Sequence, residues 1–428
     1  MIAFRQNRSR RAVILLLTIW IVIVLGLLAQ SLSYEMRVES QLSALNRDQF
    51  RVRQLARLGV ARATTDLRND NLLMGAADMD WRNRFDAFGD VWADGSLLPR
   101  TYEITPPDDS DPIGHYTILV VDEESKLDIN NEKTMEAIEY LIRMLGEDEE
   151  DARDIAEAIW DWKDNDDEPI GKKGTSEIEH YARELDMDLD VESSRLYLPK
   201  NAKFDTVDEL LGIPGMTPEL FYGYDPEEEE PSFFPDLDAE PRSRNRRGLR
   251  EFLTVKADKL NINTASYECL AALFGQASGS LETGKSIAQS IIDKRQGRGS
   301  TRIDNSSAFK KINELGALTG MSAFVGKAGQ LQRLTTQSDF FTIYCEARLG
   351  EAEEKSVWTS GNRNEKKRPK PIAKIVAGAY RSAVNYTGED LEDWMPPGFQ
   401  TRSVQREDGS TITSWSVPVV YYTSWNIF

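Results

Sequence analysis

Carboxylates are the side chains in this 428-residue sequence whose spacing could support chemistry. They crowd at the end of a predicted helix, in the segment Ile159-Trp-Asp-Trp-Lys-Asp-Asn-Asp-Asp-Glu-Pro169. Carboxylate oxygens gathered in a turn are the hard ligands that Ca²⁺ takes in proteins. We therefore predict a calcium site here, with four candidate ligands: Asp164, Asp166, Asp167 and Glu168.

The same carboxylates have two other interpretations. The spacing differs from an EF-hand, which has a central glycine and a distant bidentate Glu, so a solvated helix end fits equally well. Carboxylate pairs such as Asp164 and Asp167 can also do acid and base work when their pKa values differ. No nucleophile motif or phosphate loop accompanies them, and the two histidines, His115 and His180, lack metal-ligand spacing. We expect no enzyme activity.

An uncharged run from Ala12 to Ala29 must position everything that follows. At about 1.5 Å per helical residue, it nearly crosses a bilayer core of about 30 Å. Arginines precede it at positions 5, 8, 10 and 11, and such clusters stay on the cytoplasmic side. The rest of the chain is then expected across the membrane. A cleaved signal is the competing interpretation, but its apolar core usually has about 7 to 15 residues.

Apolar residues continue beyond this run at spacings of three, four or seven, which predicts one long helix with an apolar stripe. The stripe comprises Val38, Leu42, Leu45, Val52 and Leu55. A membrane helix that runs into an amphipathic helix after a short basic leader resembles a type IV pilin or a type II secretion pseudopilin. In that family the stripe would be an assembly surface.

The resemblance implies cleavage by a prepilin peptidase between Ala12 and Val13, although glycine usually stands where Ala12 does. Leu17 is then the fifth mature residue, a place where ordinary pilins carry Glu. That Glu is thought to neutralise the terminal amine of a neighbouring subunit, because an unpaired charge in lipid is costly. The minor pseudopilin called general secretion pathway protein K lacks it, and Leu17 agrees with that family.

Five segments have strand composition: 101–105, 115–121, 339–349, 374–381 and 416–423. The segment Asp122-Glu-Glu-Ser-Lys-Leu-Asp-Ile-Asn130 resembles the element at which protein K leaves its sheet for a helical insertion. The implied fold is α+β, with an N-terminal membrane-spanning pilin helix packed on an antiparallel sheet. A large inserted all-α domain of helix-hairpin-helix or SAM-like units completes it.

An internal repeat supports the insertion. Lys126-Leu-Asp-Ile-Asn130 recurs as Lys259-Leu-Asn-Ile-Asn263, and helical periodicity follows each copy. Asn131 and Thr264 are predicted N-caps, because their side-chain oxygens can accept from first-turn amides. The segment Leu210 to Met216 adds a third hairpin-like turn.

These patterns divide the chain into consecutive parts. The predicted parts are a cytoplasmic leader (1–12), the pilin helix (13–75), the first part of the sheet (76–125), the inserted helical domain (126–330) and the rest of the sheet (331–428). Within the insertion we predict two related units, 126–224 and 250–330, joined by a charged linker, 225–249.

The charge distribution bears on nucleic-acid binding. The formal net charge is −19, and 19 acidic residues stand against 5 basic ones between Gly146 and Glu192. Such a surface repels phosphate backbones. A membrane-anchored helix-hairpin-helix nucleic-acid receptor is the alternative function. The acidic surface argues against it, and we predict no nucleic-acid partner.

The sequence contains two cysteines, Cys269 and Cys345, and both are predicted to be small buried residues.

The resemblance carries a function with it. A K-type minor pseudopilin sits at the tip of the type II secretion pseudopilus, joins the I-type and J-type minor pseudopilins, and primes fibre assembly for protein export across the outer membrane. It is a single-pass inner-membrane protein with its C-terminal domain in the periplasm. Several pseudopilins bind calcium, which adds to the calcium prediction at Asp164.

Overall fold

The computed structural model of the chain describes most of its residues. These are 6–73, 84–107, 112–170, 176–184, 199–224, 233–235, 247–296, 305–318, 321, 324, 329, 331–350, 371–388, 402–405 and 411–427. Most of the predicted linker 225–249 and the first five residues of the leader lie outside this set.

A single helix, α1, runs from Gln6 to Leu73. It is the one helix in the described part of the chain that contains an apolar window long enough to cross a membrane. None of that window is buried in the protein, as a segment that faces lipid requires. The apolar N-terminal helix thus fits a single-pass membrane anchor.

Contacts divide the chain into two compact units. The first comprises Met1–Ala56, Glu103–Tyr116 and Ala347–Ala373, and the second comprises Arg57–Tyr102, Thr117–Glu346 and Lys374–Phe428. Within the first, a Cβ atom on Gly114 would lie 2.5 Å from the carbonyl oxygen of Arg348 and 2.6 Å from Cδ1 of Leu55. Only glycine permits that close approach.

In the described part of the chain, six strands form the main sheet. They are β1 (Arg100–Ile104), β2 (Gly114–Asp122), β7 (Phe340–Leu349), β8 (Ile372–Gly388), β9 (Arg402–Gln405) and β10 (Thr411–Ile427). Their order is β1-β2-β7-β8-β10-β9, and β10 pairs antiparallel with both β8 and β9. All five predicted strand segments lie in this sheet, so the fold is α+β as predicted.

Short helices fill the sequence between β2 and β7. They are α2 (Glu132–Met135), α3 (Ile138–Leu145), α4 (Glu149–Lys163), α5 (Glu177–Glu184), α6 (Pro218–Tyr222), α7 (Tyr267–Ser278) and α8 (Leu281–Gln296). Their apolar faces meet in one core, in which Leu141, Ile159 and Leu270 have no exposed surface. Amphipathic helices of this length are stabilised mainly by such packing.

The internal repeat is visible in the backbone. Four two-residue strands, β3 (Leu127–Asp128), β4 (Leu253–Thr254), β5 (Leu260–Asn261) and β6 (Leu334–Thr335), form two parallel pairs, β3 with β4 and β5 with β6. The last Asn of each repeat makes the same pair of hydrogen bonds. Asn130 bonds the amide and carbonyl of Phe204, and Asn263 bonds those of Phe309.

The two predicted helix caps have different outcomes. Asn131 is the N-cap of α2, and its side chain accepts from the amide of Lys133 at 3.0 Å, as predicted. The prediction for Thr264 is wrong, because Ser266 caps α7 by accepting from the amide of Cys269. The hydroxyl of Thr264 donates instead to the Asp122 carboxylate, a buried acceptor that a local sequence pattern does not reveal.

Candidate functional site

The predicted assembly stripe on α1 divides into exposed and buried parts. Val38, Leu42 and Leu45 are 36%, 54% and 45% exposed, whereas Val52 and Leu55 are buried. Buried side chains pack within the protein's own fold and are not offered to a partner. Of the predicted stripe, the first three residues therefore remain exposed for a partner to contact.

The predicted processing site lies in the first turns of α1. Val13 and Leu17 are both exposed, at 62% and 58%, and the side chain of Ala12 lies outside the described set. Leu17 brings no carboxylate to this apolar surface. Cleavage between Ala12 and Val13 stays a prediction.

Asp122 joins the end of β2 to the helical segment. Its carboxylate accepts from the hydroxyls of Thr264 and Ser338, at 2.5 and 2.6 Å, and from the side-chain amide of Asn261 at 3.3 Å. Burial raises the pKa of Asp122 to about 6 even though these hydrogen bonds act to lower it. The bonds supply the partners that a buried carboxylate needs.

The next two residues extend this junction. Glu123 accepts from the hydroxyls of Thr254 and Thr342, which belong to β4 and β7, and lies 3.3 Å from the ammonium of Lys126. Burial acts to raise the pKa of Glu123, but Lys126 and the hydroxyls outweigh it and the pKa is lowered. Glu124 accepts from the amides that open β7, and burial together with the charge of Asp122 holds its pKa well above the usual value.

A second group of carboxylates forms where α4 ends and α5 begins. Asp161, Asp164 and Glu177 each place one oxygen within 4.8 Å of the others. Asp161 sits on the inner face of α4 and accepts from the hydroxyl of Tyr181 and the amide of Ile170. Glu177 is the first residue of α5, and its side chain has no exposed surface.

This group has the geometry that a hard cation requires. Oxygens that coordinate one Ca²⁺ at about 2.3–2.6 Å lie at most about 5 Å apart, which the group satisfies. Both carboxylate oxygens of Glu177 and Oδ1 of Asp164 are buried without a hydrogen-bond partner among the described residues. Burial and the charges of Asp161 and Asp164 raise the pKa of Glu177 to about 8. A bound cation would remove both costs.

The carboxylates that the structure brings together differ from the four ligands predicted from the sequence. Of the four predicted residues, Asp164 belongs to the group, whereas Asp166, Asp167 and Glu168 are exposed. The backbone of Asp167 nevertheless helps to position Glu177, whose amide donates to its carbonyl at 3.2 Å. Asp161 and Glu177 were within reach of sequence reasoning. Asp161 lies one helical turn before Asp164, and Glu177 opens the next helical pattern.

Another carboxylate group, Asp70, Asp86 and Asp90, is already occupied by a cationic side chain. Arg381 of β8 is fully buried and pairs with both Asp70 and Asp86. The side chain of Asn305 donates to Asp90. Because a guanidinium lies among these carboxylates, this group is an internal ion-pair network.

Comparison with known proteins supplies a family for one part of the chain. Residues 119–226 match the family model for protein K of the type II secretion system. The predicted resemblance to the protein K family is confirmed over this segment. No curated protein matches the sequence.

A solved structure also resembles the chain. It is described as the crystal structure of the GspK-GspI-GspJ complex from the type 2 secretion system of enterotoxigenic Escherichia coli. The match has 12% sequence identity and a TM-score of 0.48, and it covers 92% of this chain and 99% of that one.

The segment that matches the protein K model contains both the junction at the end of β2 and the carboxylate group between α4 and α5. It begins within β2, includes Asp122 and Glu123, and continues through Asp161, Asp164 and Glu177 to the end of α6. The long helix α1 and the strands β7 to β10 lie outside it.

Proposed function

We propose that this chain is a minor pseudopilin at the tip of a type II secretion pseudopilus, where it primes assembly and takes part in protein export. The observation that carries the proposal is the protein K match over residues 119–226, which spans the exit from β2 and the first half of the helical segment. In this proposal α1 anchors the chain in the inner membrane, after prepilin peptidase cleavage before Val13, and the remainder is periplasmic.

The architecture supports a tip role in two ways. Leu17 carries no carboxylate, so it does not neutralise the amine of a preceding subunit, and a first subunit has no such neighbour. The helical segment, with units resembling helix-hairpin-helix or SAM-like modules, is a large addition to a pilin sheet. A subunit stacked above would have to displace it, which favours the end of a fibre.

The exposed stripe of α1 is the proposed contact with I-type and J-type pseudopilins. Leu42 and Leu45 stand on it at 54% and 45% exposure. Burial of one such leucine at an interface contributes about 1.5–3 kcal/mol, and an unpaired carboxylate in its place costs several kcal/mol. Leu45→Asp should therefore break the contact.

Co-purification of the tagged full-length chain with co-produced I-type and J-type pseudopilins tests this. We expect the wild-type chain to retain both partners and Leu45→Asp to lose them. Leu211→Asp is the matched control, because Leu211 is an exposed leucine of the helical segment and its substitution should leave the complex intact. Full partner recovery with Leu45→Asp would show that α1 is not the assembly surface.

We also propose that Asp161, Asp164 and Glu177 bind Ca²⁺, which would fix the start of α5 against the end of α4. The supporting observation is the buried Glu177 carboxylate, for which the described residues offer no hydrogen-bond donor. Its role is structural, since a cation there would stabilise the folded state by mass action.

Thermal unfolding of the full-length chain in detergent tests the calcium site. At a free Ca²⁺ concentration of about 100 times Kd, stabilisation should reach about 2.7 kcal/mol, and chelation should remove it. Glu177→Gln should abolish the response, whereas Asp166→Asn, at an exposed carboxylate of the same turn, should retain it. An equal calcium response in wild type and Glu177→Gln would refute the assignment.

A further inference from the structure

An aromatic ledge lies beside α1 at the C-terminal strand. Tyr422 and Trp425 of β10 stand 5.1 Å apart in an edge-to-face pair, and each keeps more than a third of its surface exposed, at 46% and 38%. The hydroxyl of Tyr422 lies 2.8 Å from the hydroxyl of Thr64, which places the ledge along one flank of α1. Apolar residues scattered singly on a surface are ordinary, whereas adjacent exposed aromatic rings are typical of contact surfaces.

The same flank of α1 carries two exposed arginines. Arg57 lies seven residues before Thr64 and Arg68 four residues after it, so the three side chains project from one side of the helix. Neither arginine has an acidic partner within 4.0 Å among the described residues, although the chain as a whole carries a net charge of −19. The flank thus combines aromatic rings with unpaired positive charge. Aromatic residues and arginine are the types enriched at interface hot spots.

Strand β10 has the uncharged composition that is typical of a strand whose edge is covered. Thr411–Ile427 contains no charged residue, and β9 pairs with its first four residues, Thr411–Ser414. Long uncharged edge strands invite association unless something covers them. Pro418 offers no amide to a neighbouring strand, and the pairing of β10 with β8 is irregular between Tyr422 and Ser424, which bends the strand, so continuous strand pairing along the outer side is disfavoured. Contact through side chains is the remaining mode.

Charge selects the occupant of this surface. In a symmetric contact between two copies, Arg57 and Arg68 would face a surface that is itself basic. A surface with carboxylates beside an apolar centre would instead pair with the arginines and cover the rings.

We propose that Tyr422, Trp425, Arg57 and Arg68 form a docking surface for a partner subunit of different sequence that presents an apolar patch flanked by carboxylates. This inference rests on the proposed function, because it takes the partner to be another pseudopilin. It adds a contact away from the exposed α1 stripe of Val38, Leu42 and Leu45.

Binding of separately purified I-type and J-type pseudopilins to the full-length chain in detergent tests the surface. Trp425→Ala and Arg57→Glu should each weaken binding of one partner about tenfold or more, the scale of a hot-spot loss. Leu98→Ala and Arg153→Glu are matched controls at exposed sites in other parts of the fold, and they should bind within about twofold of wild type. Arg57→Glu replaces an exposed side chain, so its folding is expected to be preserved, which circular dichroism verifies.

Salt dependence gives a second measurement that a packing defect would not alter. Wild-type affinity should fall as sodium chloride rises from low to high concentration, and Arg57→Glu combined with Arg68→Glu should flatten that dependence. An unchanged salt slope in the double variant would overturn the role assigned to the arginines.

The outcomes separate this inference from the proposed function. If the wild-type chain binds neither partner, both fall. If Leu45→Asp abolishes binding while Trp425→Ala and Arg57→Glu leave it intact, the proposed function stands and the docking surface is refuted. If the chain self-associates and Trp425→Ala abolishes the self-association, the occupant is a second copy and the partner assigned here is wrong.

Discussion

At the scale of single residues, buried carboxylates determine how the strands and the helical segment are joined. Asp122, Glu123 and Glu124 connect β2 to β4, β7 and the second repeat through side-chain and backbone hydrogen bonds. Such bonds are directional. A buried carboxylate that loses them destabilises the folded state more than a surface group that loses a hydrogen bond, because water cannot replace the lost partner. This explains why the run Asp122-Glu-Glu is found where the chain leaves the sheet.

Arg381 should be among the residues least tolerant of substitution. Arg381→Met leaves Asp70 buried without its cation and leaves Asp86 paired with Arg84, whose Nε lies 3.6 Å away, at a cost of about 3–5 kcal/mol at pH 8. Burial raises the pKa of the Asp70 carboxyl from 3.8 to about 7, so folding favours its protonated form. The resulting contribution to the free energy of unfolding is fully present below pH 3.8 and is lost as pH rises through about 7. The cost of the substitution should therefore be smaller at pH 5.

Urea unfolding of wild type and Arg381→Met at pH 5 and pH 8 measures this difference. Arg153→Met, at an exposed arginine, should cost little at either pH. A loss for Arg381→Met that is equal at both values would mean that protonation of the carboxylates does not compensate for the missing guanidinium.

The sequence indicated the acidic turn but not the side chains that meet there. Helical spacing relates Asp161 to Asp164, whereas the approach of Glu177 depends on how α5 returns to the end of α4. Local patterns carry no information about such returns. The most acidic positions of the turn, Asp166 to Glu168, are exposed because charged side chains favour water.

At the scale of elements, periodicity and composition predicted the long helix and the strands well. Both signals are local, since one face of α1 and alternate residues of each strand must be apolar to be buried. The stripe on α1 was predicted as one surface, yet Val52 and Leu55 pack inside while Leu45 stays exposed. Periodicity identifies an apolar face but not what covers it.

The duplicated asparagines give a matched prediction at this scale. Asn263→Ala and Asn130→Ala each remove two hydrogen bonds to a phenylalanine backbone, at Phe309 and Phe204 respectively. Asn263 is buried and Asn130 is half-buried, so water can replace the lost bonds more readily at Asn130. Asn263→Ala should therefore cost about 1–3 kcal/mol and Asn130→Ala less.

Urea unfolding of the two variants under identical conditions provides the comparison. Asn305→Ala serves as a control for the loss of an asparagine outside the two repeated motifs, Lys126–Asn130 and Lys259–Asn263, since its partner is Asp90. If Asn130→Ala lowers the free energy of unfolding more than Asn263→Ala does, the two asparagines do not play equivalent roles that differ only in burial.

At the scale of the whole molecule, charge argues for a protein partner. The net charge of −19 is concentrated in the helical segment, where the residues between Gly146 and Glu192 alone carry −14. Exposed arginines stand instead on α1, at Arg53, Arg57 and Arg68. A chain with acidic and basic surfaces in different places can orient partner subunits in an assembly.

Duplex DNA should accordingly not bind. Phosphate contacts need clustered basic side chains, and the helical segment presents mostly carboxylates. Fluorescence anisotropy with a labelled duplex at moderate salt should show no saturable binding. Micromolar or tighter binding with a steep salt dependence would revive the nucleic-acid receptor as the function.

The position of the chain in the fibre tests the central claim most directly. Immunogold labelling of an epitope tag on the helical segment, viewed on isolated pseudopili by electron microscopy, locates the subunit. The tip assignment predicts label at one end of each fibre and none along its length. Regular label along the fibre, or fibres of normal number and length from cells that lack this chain, would contradict the account.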